Sequence, residues 1–474
     1  MRFFRIAKNG ISIFRQIRQA ESKKVSYKVA GPKINKLLSD LGPTFIKLGQ
    51  MLSLRADLIN PDLADELREL LDHGSTVDES DVNNLFISEL GKAPDEIFEK
   101  FTREPFAVAS LSQVHLAHLK GQILAVKVQK PGIKALIHQD LTLVRQFLGI
   151  AQIFAFSKYD RSILRILKVS VDEFFKWIEH ELDYRLEALN IIRIKNNLSE
   201  IKSFQAPEVL HALSTKLILT TEYIDGISLN TLINFVPDLA HLEEIKYQNI
   251  KFSKKTFIKE FLEIVFKQVF EDGYFHADPH PANILMTPKN KIAFIDFGVV
   301  GVLQPHIKEI LVKVLSGVIE RDVKKTSQSL VELNEIEGKI EITLIERRVR
   351  TLLDDWQTGS AIEMTMAEVF YRLLIIAQES KIEVPLSVFI LGKTVLEYDG
   401  LLRKFDPEMD ILNSLKSHME RGSMLDIKNI PVAIKELLAY PENLPEGVFK
   451  FAKQLANEGV EFVSHLIRPD SLKK

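Results

Sequence analysis

The residues best suited to chemistry lie in one stretch, His276-Ala277-Asp278-Pro279-His280-Pro281-Ala282-Asn283, followed after an apolar run by Asp296-Phe297-Gly298. Asp278, Asn283 and Asp296 offer two carboxylates and an amide, hard oxygen ligands of the kind magnesium takes while it holds a nucleotide's phosphates. Two simpler readings compete. Asp-Phe-Gly alone is a common turn, and a zinc site built on His-x-Asp-x-His would need further ligands on another element, which His211 and His306 do not supply in any recognisable pattern. The chain has no cysteine, so thiolate metal sites, disulfides and cysteine nucleophiles are excluded.

Spacing favours the nucleotide reading. Asp278 and Asn283 are separated as the catalytic Asp and metal-binding Asn are in the H-R-D-x-x-x-x-N loop of kinases, and Asp-Phe-Gly follows on the next strand. Such a centre needs a cation for the phosphates. In Ala125-Val126-Lys127 the period of two puts Ala125 and Lys127 on one face of a strand, so the lysine reaches phosphates while the small residue leaves room for a flat adenine. An acid on a helix should fix that ammonium. Asp183 and Glu187 share a helical face, and periodicity alone does not choose between Glu187 and Glu181. Gly392-Lys393-Thr394 imitates the end of a Walker A loop, but Ser387 stands where its first glycine belongs, and residues 386–404 read as a buried helix. No G-x-G-x-x-G occurs; Ala107-Val108-Ala109-Ser110-Leu111-Ser112-Gln113 stands in the place of such a loop.

The elements that must position these groups follow from the pattern. Residues 34–100 read as helices, 105–128 as short strands, 171–198 as one long helix, 216–222 as a strand, 257–270 as a helix, and the chain beyond about 305 as helical. A length of 474 residues suits two to four compact units. With 62 basic and 64 acidic residues, a generally basic nucleic-acid binder is disfavoured, and no apolar run is long enough to cross a bilayer. Residues 1–35 hold nine Lys or Arg and one acid, with Phe3, Phe4, Ile6, Ile11, Phe14 and Ile17 at helical spacing. This arm fits a helix docked on its own protein first, and a membrane surface or a transit peptide second.

The chain resembles the UbiB/AarF atypical kinases, a family linked to ubiquinone biosynthesis. The likeness rests on Lys47-Leu48-Gly49-Gln50 (KxGQ), the Ala-rich loop 107–115, Ala125-Val126-Lys127, Glu181-Leu182-Asp183 (ExD) running on to Glu187, the HADPHPAN loop and Asp296-Phe297-Gly298. It implies an α+β, protein-kinase-like two-lobed fold with an N-terminal helical extension over the active site. The corresponding divisions are a basic arm and extension (1–100), a small lobe (101–225), a large lobe (226–420) and a helical tail (421–474). It further implies that Lys127 contacts phosphates and pairs with Glu187, that Asp278 is the catalytic-loop acid, and that Asn283 and Asp296 bind Mg2+. ATP would lie against Ala107, Ala109, Ser110, Gln113 and Ala125, with Glu222 and Tyr223 as the hinge beside adenine. Lys47 and Gln50 would be held near Glu181 and Asp183, where the extension blocks a bulky peptide. Ser112 and Ala282 stand where smaller residues are usual, and the two apolar C-terminal spans of many bacterial members are not found; the tail reads as a short helix over 448–466. The expected protein is an ATP-dependent phosphotransferase or ATPase, cytoplasmic and peripheral to the inner membrane, whose partners are a quinone-precursor lipid or membrane surface and quinone-biosynthesis enzymes. A small-molecule phosphotransferase of the aminoglycoside or choline kinase type, and a nucleotide-gated lipid-binding module without enzymatic activity, are the alternatives.

Overall fold

The computed structural model describes residues 2–409 apart from 23, 54–58, 68–69, 71–75, 154–157, 279, 335–339 and 359–363, together with 411, 414, 415 and 418. The expected tail helix over 448–466 lies outside the described residues. The chain forms a mixed helix and sheet fold of the protein-kinase-like type, with two lobes and a helical body beside the smaller one.

The small lobe is built on an antiparallel sheet in the order Lys100–Phe101, Ser112–Leu119, Gln122–Gln129 and Ile218–Glu222, with Ala107–Val108 also paired to Ser112–Leu119. A two-residue turn, Lys120-Gly121, joins the long hairpin; both residues have positive φ (51° and 76°), which matches the twist of the strands it connects. Leu124, Val126 and Val128 are buried on one face against Val82, Leu85 and Phe86 of the helix Glu79–Leu90. The period of two then turns Ala125 and Lys127 to the other face.

Residues 171–198 do not form the single helix that their apolar stripe suggests. One helix, Lys158–Glu181, ends at Leu182-Asp183, and a second, Tyr184–Asn197, begins there. Asp183 lies in the extended region and its carboxylate accepts a bond from Arg185 N at 3.2 Å, so the acid acts as the N-cap of a second, separate helix. Gln129 Nε2 donates to Leu182 O at 3.0 Å and ties the break to the sheet. Glu181 and Glu187 therefore sit on different helices, a separation that periodicity along one helix could not reveal.

Cores do not follow the chain order. Helices Ile133–Ile153 and Lys158–Glu181, which interrupt the small lobe in sequence, share a core with the extension helices Arg2–Glu21, Tyr27–Leu41 and Pro43–Ser53. The basic arm is thus a docked helix, with Ile6 and Ala20 buried and Ile13, Phe14 and Ile17 packed against that core.

In the large lobe the helix Lys254–Phe266 widens into a π turn, Lys267–Asp272, where the apolar spacing suggests a single longer α-helix over 257–270. Gly273, with φ 62°, stops it; a side chain there would meet Leu303 O at 2.9 Å. The hairpin Ile284–Met286 and Ile292–Phe294, flanked by Phe204–Gln205 and Ile227–Ser228, carries the loops of interest, and the strand Tyr274–His276 pairs with Val300–Val302. Helices from Pro305–Glu320 to Leu386–Arg403 complete the lobe around buried Phe257, Phe261, Phe294, Phe297 and Phe405. Among the described residues no helix is long and apolar enough to cross a membrane.

Candidate active site

Lys127 is the centre of the site. Its Nζ donates to both carboxylate oxygens of Glu187, at 2.9 and 2.8 Å, and lies 3.8 Å from Asp296 Oδ2. Of the two acids that periodicity left open, Glu187, the one the resemblance implied, meets this ammonium. Burial opposes the charge on Lys127, but Asp296 and Glu187 outweigh it and hold the ammonium well above the ordinary lysine range. For Asp296, burial works against ionisation; Lys127, the Gly298 N–H, Lys47 and His276 prevail and hold its carboxyl below the usual range. Glu187 is shifted upward, by burial first, with Lys127 opposing.

The catalytic-loop residues and the Asp-Phe-Gly turn are wired to each other through the backbone. Asn283 Nδ2 donates to Asp278 Oδ2 at 2.8 Å, and Ile295 N donates to Asn283 O at 3.1 Å, which places the amide beside the strand that ends at Asp296. Gly298 N donates to Asp296 Oδ1 at 2.9 Å. His276 is buried, and burial lowers its pKa, so the ring is neutral near pH 7. Its Nε2–H then donates to Asp296 O at 2.5 Å, and Nδ1 is left to accept from Tyr398 Oη at 3.3 Å. This histidine serves as a brace between the two loops, and no group of three or more His, Asp or Glu able to cage a metal occurs among the described residues.

The extension reaches the same place. Lys47 Nζ meets Glu181 Oε1 at 2.9 Å, and a Cβ added at Gly298 would lie 3.3 Å from Asp296 Oδ1 and 3.7 Å from Glu181 Oε2. Glu181 and Asp296 are therefore neighbours with only a glycine between them. Gln50 and Asp183 are not part of this contact: Gln50 Nε2 donates to Leu70 O at 3.3 Å, while Asp183 binds Arg185 at 2.9 and 2.7 Å and faces Lys216.

Of the expected nucleotide contacts, Ala107 pairs with Val114 and Val114 with Lys127, so Ala107 shares the row and the face of the lysine; Ala125 shares that face. The turn is tight, since Ala109 N donates to Ser112 O at 2.9 Å and Ser110 is buried, and Lys130 Nζ holds Ala109 O. Gln113 is not brought to the cleft. It pairs with Val128 on the opposite face, where its Oε1 accepts from Val77 N at 2.9 Å and its amide nitrogen meets His115 Nε2. At the hinge, Glu222 N donates to Glu208 O and Tyr223 N to Ile123 O. A base meeting these two residues would find their carbonyl oxygens rather than their N–H groups.

Several supporting residues carried no spacing that pointed to them. Tyr398 lies 122 residues from His276, whose Nδ1 it meets, and Gln268, eight residues before His276, belongs to no motif but accepts from His276 N at 2.8 Å. Asn190 was legible in principle, three residues after Glu187 on the same helix face; it donates to Phe297 O at 2.9 Å and accepts from Tyr274 Oη.

The residues present fit a magnesium nucleotide. Lys47 and Lys127 stand among the carboxylates of Glu181, Glu187, Asp278 and Asp296, an excess of negative charge, and Asp296 keeps 39% of its side chain exposed toward the cleft. One or two carboxylates completed by substrate phosphates, without an all-protein cage, is the way magnesium is usually held.

Comparison with known proteins places the chain in a family. Residues 69–330 match the family model described as the ABC1 atypical kinase-like domain. A protein of Pseudomonas fluorescens named as a probable protein kinase UbiB is 33% identical over 82% of this chain and 71% of its own. A protein of Clostridium pasteurianum described only by its place in the hydrogenase 1 5' region is 29% identical over 94% of this chain and 79% of its own. The solved structure of Rv3197 from Mycobacterium tuberculosis, in complex with erythromycin, superposes with a TM-score of 0.50 over 82% of this chain and 95% of that one, at 20% identity, and speaks for the fold alone.

Proposed function

This chain belongs to the ABC1 atypical kinase-like family, and on that footing we propose that it is an ATP-dependent phosphotransferase or ATPase of the UbiB type that acts in quinone-lipid biosynthesis. The observation that carries the proposal is Lys127, clasped by Glu187 at 2.8 Å and facing Asp296, with the Asp278–Asn283 pair beside it. Held in this way, the ammonium keeps a fixed position for an incoming phosphate oxygen. Asp296 and Asn283 would hold Mg2+, which supplies charge neutralisation to the phosphates when bound. Asp278, positioned by the Asn283 amide, would orient the attacking hydroxyl or water and accept its proton. Ala125 and Ala107 keep the cleft face open for the base.

A small or lipid-borne hydroxyl suits the acceptor side better than a peptide. The segment after Gly298 runs directly as the strand Val300–Val302 into the helix that starts at Pro305, and Lys47 from the extension reaches Glu181 over the same site. This leaves little surface for an extended chain. The quinone setting and a peripheral, cytoplasmic-face location are inferred from the likeness to UbiB proteins.

The test is ATP hydrolysis by the full chain, with Mg2+, in the presence and absence of anionic liposomes and a phenolic quinone-precursor mimic. Hydrolysis or phosphate transfer stimulated by either addition is expected. Saturable phosphorylation of a soluble amino sugar or choline analogue in its place would move the assignment to small-molecule phosphotransfer, and absence of both ATP hydrolysis and MgATP-induced thermal stabilisation would overturn it.

A further inference from the structure

The helix Pro43–Ser53, which carries Lys47, is anchored at both ends by contacts that the nucleotide site does not use. At its first turn Thr44 Oγ1 donates to Asp140 Oδ2 at 2.8 Å. Asp140 belongs to the helix Ile133–Ile153 and its side chain is completely shielded, between the buried Ile137, Leu141 and Val144. A carboxylate so placed is tolerated only with a cation and hydrogen bonds on its oxygens.

Arg2 of the basic arm supplies that cation. Its Nε donates to Asp140 Oδ1 at 2.7 Å and its Nη2 to Oδ2, while the same Nη2 donates to Leu41 O at 2.7 Å, at the end of the helix Tyr27–Leu41. One guanidinium thus joins the arm, the preceding helix and, through a shared carboxylate, the first turn of the Lys47 helix. At the other end Ser53 Oγ accepts from Lys393 Nζ at 3.3 Å, a buried lysine of the large-lobe helix Leu386–Arg403. Lys47 reaches Glu181 between these two anchors.

We infer that Arg2 and Asp140 are positioning residues, a latch that holds the first turn of Pro43–Ser53, the strap that carries Lys47, and so sets Lys47 over Glu181. Loss of the arm's guanidinium leaves the shielded Asp140 carboxylate without its charge partner and with Thr44 Oγ1 as its remaining donor; admitting water to that carboxylate means parting the first turn of the strap from Asp140, which loosens the strap while the large-lobe core stays packed. The inference rests on the nucleotide reading only for its consequence at the active site.

Because the chain has no cysteine, a single Met51→Cys, at a position now buried in the strap, reports opening by its rate of thiol alkylation. In that background Arg2→Ala should speed labelling by about tenfold or more, and Arg2→Lys, which keeps the charge but not the fork, should fall between the two. Hydrogen exchange in Lys254–Phe266 should stay at the parent level, separating strap release from global unfolding. Labelling at the parent rate in Arg2→Ala while the helix Arg2–Glu21 exchanges freely would overturn the latch, and parent-rate labelling in Arg2→Lys with an open arm would do the same if the alanine variant does not fold. The readout uses no nucleotide, so a parent protein that fails to bind MgATP would refute the proposed function and still leave the latch decided by labelling.

Discussion

Lys47 and Glu181 meet at 2.9 Å although 134 residues separate them in the chain. The contact puts a cation of the extension beside the one acid of the ExD stretch that faces Asp296, across Gly298. Lys47 adds to the positive field that keeps Asp296 ionised, so the extension contributes to the electrostatics of the site it covers.

Asp296→Asn keeps the size of the side chain and removes one charge from the magnesium side of the cleft. The MgATP-induced thermal shift should vanish, and turnover should fall by at least about a hundredfold, the scale on which lost preorganised stabilisation is felt. Isothermal titration with MgATP checks the first outcome and a phosphate-release assay the second.

Glu187→Ala should destabilise the protein by about 3 kcal/mol, because it leaves Lys127 part-buried with Asp296 at 3.8 Å and the face of the Tyr184 ring in place of a clasping carboxylate. Lys127→Met, which substitutes an apolar stem of similar length, strands the more deeply buried Glu187 carboxyl beside Asp296 and should also destabilise, while it removes nucleotide binding altogether. Urea denaturation of the two single variants and of Glu187→Ala with Lys127→Met measures the pair: a double variant less destabilised than the sum of the two singles is expected, and strict additivity would mean that the two side chains are not coupled.

His115 and His276 are both buried, and burial lowers both pKa values from 6.5. The unfolded chain takes up protons there as pH falls below about 6.5 while the folded chain does not, so stability is lost toward acid and regained toward neutrality. Below that value stability should fall with pH, and His115→Gln or His276→Gln should each make the fall shallower. Chemical denaturation between pH 7 and 5.5 measures it.

Gly49 is the motif glycine between Lys47 and Gln50, and a Cβ there would lie 2.2 Å from Leu70 Cδ1 and 3.1 Å from Leu38 Cδ1. Gly49→Ala should overpack that junction and cost about 1–3 kcal/mol. A lowered melting temperature with unchanged MgATP affinity is expected, since the alanine meets leucines and not the nucleotide residues.

The chemistry was legible in the sequence because it resides in short, contiguous patterns. Asp278 and Asn283 lie on one loop, Asp296 begins its own turn, and the alternation around Lys127 already puts the lysine opposite the apolar core residues Leu124, Val126 and Val128. The partner of Lys127 was not legible in the periodicity, and only the resemblance to the UbiB/AarF family pointed to Glu187. A stripe of apolar residues continues through 171–198 at helical spacing, and only the tertiary bonds of Asp183 and Gln129 reveal the break that gives Glu187 to Lys127 and Glu181 to Lys47. Gln113, in the middle of the loop motif, is turned away from the cleft to the buried face by strand register, which local spacing does not specify. The basic arm likewise has an amphipathic pattern that suits a lipid surface and a protein core equally; a fully shielded Asp140, contributed by a helix more than a hundred residues further on, makes the arm's first arginine a structural partner. Sequence determines the donors and acceptors, because these are properties of side chains. Which of them meet is decided by packing among distant elements, where burial penalises every charge that lacks a partner.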